Sequence, residues 1–207
     1  MTHRFSIIIT VYDQADYIEA CLPALLSQDY GEDYEVIVVD ESSNDETQDV
    51  LKQLKDNYPR LYTTFLPKTP ISKTRKKFAY YLGVKAAKYE WVIFINIGKK
   101  PLESDVLSSV AGAFDSSSPL TLGYFGKKGI RLQSFASVDE ARTHIGKAER
   151  FLRRVHDHKR LHYRFGRYDF IITKKEKAYD LLQYFEQTIY WPKLMLMRTK
   201  IFFTNLF

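Results

Sequence analysis

The stretch FSIIITVYDQADYIEACLPALLSQDYGEDYEVIVVD, residues 5–40, decides the fold of this chain. It opens with an apolar run at 5–12, continues with a segment whose leucines and isoleucine recur at helical spacing, and closes with a second apolar run at 34–40. Strands that are apolar on both faces are typical of parallel sheets that helices cover on both sides. The stretch therefore predicts a strand–helix–strand unit within a parallel sheet.

The helix inside this stretch is expected over residues 16–28, and two features concern its geometry. Asp16 followed by Glu19 resembles a capping box, in which side chains satisfy the first backbone N–H groups of a helix. Pro23 lacks the N–H that an interior position donates, so we expect either a kink or a late helix start.

Beyond this stretch, apolar runs and helical patterns continue to alternate. Asn44 or Asp45 is expected to cap the next helix. In a helix expected over 74–88, apolar residues recur every four positions from Phe78 to Ala86. The remaining strands are expected at 61–66, 90–97 and 120–126, with a helix around 103–114. This order predicts an α/β fold with a mostly parallel sheet flanked by helices.

After about residue 126 the pattern weakens. Ser137 and Glu140 form a capping box in front of a helix expected over 137–155. A strand is expected at 168–173, and a last helix is marked by Ala178, Leu181, Leu182 and Phe185. Because no linker or repeat interrupts the chain, we expect one domain over residues 1–207.

The composition limits the classes of protein to which the chain can belong. A length of 207 residues with 45% hydrophobic residues suits one globular domain. The single cysteine, Cys21, excludes an internal disulfide framework and favours a reducing compartment. The first apolar run is short for a signal peptide and no window is long enough for a membrane helix, so we expect a cytoplasmic protein. The net charge of +6 would attract phosphate groups, whereas no basic-aromatic module for nucleic acid is visible.

Three polar segments follow the expected strands. Tyr12 and Asp13 follow the first, the acidic turn DESSND at 40–45 follows the second, and NIGKK at 96–100 follows the fourth. Ligands of open parallel sheets bind at the carboxyl ends of the strands. An aromatic ring, an acidic turn and a cationic loop are therefore expected to converge.

These segments carry a resemblance. Residues 6–30 and 34–47 resemble the opening of family-2 glycosyltransferases of the Rossmann-like GT-A fold, which read Val-Tyr-Asn-Glu, a helix ending near Gln-x-Tyr, and Val-Val-Asp-Asp-x-Ser-x-Asp-x-Thr. KTRKKFAYYLGVKAAKYEWVIFINIGKKP, residues 73–101, resembles the family's cationic helix and the strand that leads into Asp-x-Asp. FGRYDFIITKKE, residues 165–176, resembles the family's acceptor segment more faintly. The resemblance implies a nucleotide-binding half at 1–101 and a divergent acceptor half at 102–207.

The resemblance also implies roles for single residues. Tyr12 would stack on a uracil or similar base, Asp40 would accept a hydrogen bond from the base, and Glu41, where the family has aspartate, would contact the ribose. Each role has a structural alternative: packing at a strand end for Tyr12, and capping of the next helix for Asp40. The full set of implied nucleotide contacts is Thr10, Tyr12, Asp13, Asp40, Glu41, Arg75 and Lys77, with Asn96, Lys99 and Lys100 at the diphosphate.

The carboxylates of the family's metal site are absent. Asp-x-Asp in the family holds a divalent cation that bridges the donor diphosphate, and Mg²⁺ and Mn²⁺ prefer anionic oxygen. Here Asn96 offers a neutral oxygen and Gly98 offers no side chain, so we expect no metal cofactor. The family's acidic general base is also hard to find, and Asp180 and Glu186 are only weak candidates for it.

Two minor alternatives concern the C-terminal part of the chain. His158 and His162, with His156 and His144 nearby, would share a helix face and could bind zinc, although a surface position is favoured. The tail mixes aromatic residues with cations and could contact a membrane surface, or else pack on the core. Its aromatic residues are Trp191, Phe202, Phe203 and Phe207, and its cations are Lys193, Arg198 and Lys200.

Two functions stay open. The first is a glycosyltransferase that moves sugar from a nucleotide donor, most simply a uridine nucleotide, to a saccharide or lipid-linked acceptor by a mechanism other than the usual metal-dependent one. The second is a non-catalytic relative that binds nucleotide or protein in polysaccharide assembly. Peripheral contact with the inner membrane face would accompany either function.

Overall fold

The computed structural model describes residues 3–67, 75–95, 101–126, 129–141 and 169–182. They form one seven-stranded sheet in the order β3-β2-β1-β4-β7-β5-β6. The strands are β1 Phe5–Val11, β2 Tyr34–Asp40, β3 Leu61–Phe65, β4 Trp91–Ile95, β5 Leu120–Gly126, β6 Gly129–Phe135 and β7 Phe170–Lys174. The helices with defined bounds are α1 Ala15–Leu26, α2 Thr47–Asn57, α3 Arg75–Ala86 and α4 Val106–Ala113.

The sheet is mostly parallel. The first four strands pair in parallel, whereas β7 runs antiparallel to both β4 and β5, and β6 runs antiparallel to β5. Five of the seven strands therefore point the same way, and the predicted α/β fold is confirmed. Every residue of β1, β2 and β4 is buried, which is why those strands carry uninterrupted apolar runs.

Helices cover both faces of the sheet. On one face α1, α2 and α4 bury side chains such as Leu22, Leu51 and Leu107. On the other face α3 and a helical segment at 175–182 bury side chains such as Val84 and Leu181. Within the described ranges no helix is long and apolar enough to cross a membrane.

The start of α1 differs from the prediction. The helix begins at Ala15 with Gln14 as its N-cap residue and without a side-chain cap of its own, so Asp16 lies inside the first turn and the predicted capping box is wrong. The late start that Pro23 suggested is also wrong, because the helix runs through Pro23 to Leu26. Side chains from the loop before α2 take the place of the local cap, as described below.

The buried side of α3 also differs from the prediction. Phe78 is 57% exposed, whereas Ala79, Tyr80 and Val84 are buried. A Cβ added at Gly83 would lie 2.4 Å from Ile8 Cγ2, so the absence of a side chain at Gly83 allows the helix to approach β1 closely. The side of α3 that faces the sheet therefore combines the small residues Ala79 and Gly83 with Tyr80 and Val84, and it does not include Phe78.

The C-terminal predictions are confirmed in part. The Ser137 Oγ accepts a hydrogen bond from the Glu140 N–H (3.1 Å), as the predicted capping box requires, whereas the Glu140 carboxylate accepts one from the N–H of Ala136 (2.9 Å), the residue before the cap. The sequence did not predict β6, an edge strand whose seven residues are mostly exposed and which therefore lacks a long apolar run. The rest of the helix expected over 137–155 lies outside the described residues.

Candidate functional site

The loops after β1 and β2 lie side by side because the two strands end in register. Val11 pairs with Asp40 in the parallel ladder. The N–H of Glu41 then donates a hydrogen bond to the carbonyl of Val11 (2.8 Å). Tyr12 and Glu41 therefore leave the sheet next to each other, at the edge where the sequence predicted a site.

Side chains connect the two loops. The Asp13 N–H donates to Ser43 Oγ (2.9 Å), and the Asn44 N–H donates to Asp13 Oδ1 (2.7 Å). The Asn44 side-chain amide donates to the hydroxyl of Tyr12 (2.6 Å). Asp13 and Ser42 adopt left-handed backbone conformations, with φ of 47° and 63°, which a non-glycine residue keeps only when its surroundings hold it. The two loops form one fixed surface around Tyr12.

Side chains at the end of the loop after β2 also accept hydrogen bonds from the first backbone N–H groups of two helices. Asp45 Oδ2 accepts a hydrogen bond from the Ala15 N–H and Oδ1 accepts one from the Thr47 N–H (both 3.1 Å), while Thr47 Oγ1 accepts one from the Gln14 N–H (3.1 Å). Asp45 thus accepts a hydrogen bond at the start of each helix, although the N-cap residue of α2 is Glu46 rather than the predicted Asn44 or Asp45. Burial tends to raise the pKa of Asp45, but the hydrogen bonds from Thr47 and Ala15 outweigh it, so the pKa lies below its ordinary value.

Asp40 has three donors around its carboxylate. Its side chain is 2% exposed. Oδ1 accepts hydrogen bonds from the N–H (2.9 Å) and the hydroxyl (2.6 Å) of Ser43, and Oδ2 accepts one from the Gln48 side-chain amide (2.9 Å). Asp40 therefore organises the turn that precedes α2, and a contact between Asp40 and a base stays a prediction.

A polar cluster of Thr10, Glu41, Lys76 and Tyr80 lies between the ends of β1 and β2 and the first turns of α3. Lys76 Nζ lies 5.8 Å from the centre of the buried Tyr80 ring. Burial lowers the pKa of Lys76, and the negative charge of Glu41 opposes that shift. Burial also raises the pKa of Tyr80, which neighbours Thr10 and Glu41. Thr10 Oγ1 is buried, and the side chain of Tyr80 is its polar neighbour.

The sequence did not single out Lys76 and Tyr80. The sequence feature that could have identified them is the presence of two small residues, Ala79 and Gly83, four positions apart. These residues lie on the side of α3 that faces the sheet. On that side Lys76 and Tyr80 are four residues apart and so lie one above the other. The predicted cation Arg75 begins α3, and the predicted cation Lys77 is partly buried on its first turn.

Of the other predicted site residues, Asp180 lies in the described part of the chain. Asp180 is exposed on the helical segment 175–182, whose first N–H donates to the carbonyl of Glu90 at the amino edge of β4, opposite the site. The remaining candidates lie outside the described residues, namely Asn96, Lys99, Lys100, Glu186 and the histidines 144, 156, 158 and 162.

A divalent metal does not fit the donor groups at hand. Among the described residues, no three histidine, cysteine, aspartate or glutamate side chains are grouped as metal ligands. The family position after β4 supplies one neutral amide from Asn96 and no side chain from Gly98. Hard cations require anionic oxygen, so no chemical step is assigned to a metal here.

Comparison with known proteins gives one family. The sequence profile of glycosyl transferase family 2 matches residues 6–96. A poly(ribitol-phosphate) beta-glucosyltransferase of Bacillus spizizenii is 32% identical over 94 residues, which are 45% of this chain and 14% of that protein. A dolichyl N-acetyl-alpha-D-glucosaminyl phosphate 3-beta-D-2,3-diacetamido-2,3-dideoxy-beta-D-glucuronosyltransferase of Methanococcus voltae is 33% identical over 109 residues, 50% of this chain and 32% of that protein. The chain spans about a third or less of the length of these relatives.

Solved structures show a partial likeness. The mannosyltransferase PcManGT of Pyrobaculum calidifontis, in complex with GDP-Man and Mn²⁺, aligns with a TM-score of 0.49 and 26% identity, over 58% of this chain and 35% of that one. The glucosyl-3-phosphoglycerate synthase of Mycobacterium tuberculosis aligns with a TM-score of 0.48 and 16% identity, over 84% of this chain and 57% of that one.

The matched segment contains the loops after β1 and β2 and the first turns of α3, so it includes the whole surface described above. The predicted resemblance is therefore confirmed, together with the α/β fold that it implied: residues 6–96 of this chain match the profile of glycosyl transferase family 2.

Proposed function

We propose that this chain binds a nucleotide sugar at the ends of β1 and β2 and transfers the sugar to a saccharide or lipid-linked acceptor. The observation that carries the proposal is the fixed surface around Tyr12 and Glu41, which lies inside the segment that matches the family. The names of two relatives, a glucosyltransferase and a glucuronosyltransferase, support a transfer reaction. Residues 1–101 would form the donor half and residues 102–207 the acceptor half.

Each residue of the surface has a proposed contact. The ring of Tyr12 stacks on the base, for which a uridine nucleotide is the first choice. Glu41 and the buried hydroxyl of Thr10 offer polar groups to the nucleoside, and Asp13 and Asp40 hold the loops in place. Arg75 and Lys77 on the first turn of α3, with Asn96, Lys99 and Lys100 after β4, would meet the diphosphate.

The proposed transfer does not use a divalent cation. When the bond between sugar and diphosphate breaks, negative charge develops on the leaving phosphate. Lysine ammonium groups placed beside that phosphate stabilise the charge, which is the task of a cation in enzymes that have one. Lys99 and Lys100 directly follow the position where the carboxylates are absent.

The second candidate function is a non-catalytic nucleotide-binding module that assists an active enzyme, with or without contact to a membrane surface. Two observations favour it. The position after β4 offers Asn96 and Gly98 in place of carboxylates, and Asp180, the described candidate for a general base, lies on a helix that starts at the opposite edge of the sheet.

Calorimetric titration with UDP and GDP, in Mn²⁺ and in EDTA, tests the proposal. We expect UDP binding that is equal in both solutions and is weakened by Tyr12→Ala, while Tyr62→Ala, which removes an exposed tyrosine on β3, leaves it unchanged. Turnover of a panel of UDP-sugars would then favour the transferase over the binding module. Absence of binding at millimolar nucleotide contradicts both functions, and binding that requires Mn²⁺ contradicts the metal-free mechanism.

A further inference from the structure

The position of Lys76 follows from how α3 lies along β1. Gly83 lies against Ile8, and Tyr80 lies beside Thr10. The start of α3 therefore lies at the carboxyl end of β1. One helical turn of α3 spans about two residues of β1. One further turn brings Lys76 to the level just beyond Val11, where β1 ends and Tyr12 begins.

The position of Glu41 is fixed at the same level. Its backbone N–H donates to the carbonyl of Val11 (2.8 Å), so Glu41, which directly follows β2, lies next to the end of β1. Its side chain is only partly exposed. Its negative charge opposes the lowering of the pKa of Lys76 and adds to the raising of the pKa of Tyr80, both on the first turns of α3.

Lys76 is an unusual residue for this place. Its stem lies against the ring of Tyr80, with Nζ 5.8 Å from the ring centre, and its side chain is only partly exposed. Removing an ammonium group from water is unfavourable unless a negative charge or an aromatic face compensates. Glu41 supplies that negative charge. The ammonium group in turn limits the positions that the long glutamate side chain can take.

We propose that Lys76 is a positioning residue that holds the carboxylate of Glu41 beside Tyr12, so that the two side chains recognise the nucleoside part of a bound nucleotide as one unit. This inference rests on the proposed function, because it concerns the same site. Lys76 would then contribute to binding of the nucleoside, whereas other cations would contact the diphosphate. A glutamate in this place needs such a partner, because its carboxylate has one more rotatable bond than that of an aspartate.

The test compares uridine with UDP as ligands of three lysine variants. Lys76→Met keeps the length of the stem and removes the charge, Lys76→Arg keeps the charge, and Lys85→Met is the matched control because Lys85 is an exposed lysine of the same helix. We expect Lys76→Met to weaken the binding of uridine and the binding of UDP by the same factor of about ten. Lys76→Arg should keep most of both affinities, and Lys85→Met should change neither.

Glu41→Gln completes the experiment. If Lys76 acts through Glu41, the double variant of Glu41→Gln and Lys76→Met binds uridine no more weakly than the weaker of the two single variants. Additive losses, or a loss confined to UDP, overturn the inference, the latter because it would place Lys76 at the phosphates. If Lys76→Met does not fold, Glu41→Gln decides: unchanged uridine affinity of that variant overturns the inference. Failure of the unchanged protein to bind UDP overturns the proposed function itself.

Discussion

The side-chain amide of Asn44 donates a hydrogen bond to the hydroxyl of Tyr12 across the two loops that end β1 and β2, at a distance of 2.6 Å. The ring is therefore held from its polar end. Since Asn44 also donates its backbone N–H to Asp13, the loop after β2 determines where Tyr12 lies.

This relationship predicts how substitutions of Tyr12 and Asn44 combine. Tyr12→Ala should lose about 1–3 kcal/mol of UDP binding, because the stacking face is gone. Tyr12→Phe and Asn44→Ala each remove one partner of the same hydrogen bond. Each should therefore reduce the free energy of UDP binding by a similar and smaller amount, and the double variant should reduce it no further. Titration calorimetry measures all four affinities. Additive losses would mean that Asn44 affects binding by a route other than Tyr12.

Asp40 is predicted to matter for stability more than for recognition. Asp40→Ala leaves the Ser43 N–H, the Ser43 hydroxyl and the Gln48 amide without their acceptor. We expect the free energy of unfolding to fall by about 1–3 kcal/mol in urea denaturation. Asp56→Ala, at an exposed position near the end of α2, is the control and should change it little. Weaker UDP binding without loss of stability would instead support the base contact that the family resemblance implies.

The sequence was sufficient for the strands with long apolar runs, because such runs are local features, but it did not reveal β6, which lacks one. It was not sufficient for contacts between distant residues. The cap of α1 comes from Asp45, thirty positions away, so the local pair Asp16 and Glu19 was misleading. The side of α3 that faces the sheet is set by the close approach of Gly83 to Ile8, which no periodicity reveals.

The same limit explains why the choice among the cations of α3 was incomplete. Arg75 and Lys77 match the family pattern as well as Lys76 does when only spacing is considered. What distinguishes Lys76 is that its ammonium group lies over the ring of Tyr80, a contact that depends on how α3 packs on β1 and β2.

Asp45 predicts a dependence of stability on pH. Its pKa in the folded protein lies below the ordinary value of 3.8, so its contribution is fully present above that value and is lost as the pH falls through the lowered pKa. Asp45→Asn should therefore lower the thermal midpoint of unfolding at pH 6. The difference between the midpoints of the variant and the unchanged protein should become smaller below pH 3.8. A gap that stays constant down to acid pH would mean that the charge of Asp45 is not responsible.

The last prediction concerns the close approach that places Lys76. A Cβ at Gly83 would lie 2.4 Å from Ile8 Cγ2, so Gly83→Ala forces α3 away from β1 and should lower the free energy of unfolding by about 1–3 kcal/mol. Gly112→Ala is the matched control within α4, because nothing lies within 4 Å of the added Cβ.

Gly112→Ala should raise the free energy of unfolding by about 0.5–1 kcal/mol, since alanine loses less backbone entropy in a helix than glycine does. Urea denaturation of the two variants gives both values. Equal effects would mean that α3 moves away from β1 without cost. Gly83→Ala should also weaken uridine binding, because Lys76 moves with the helix, whereas Gly112→Ala should leave that affinity unchanged.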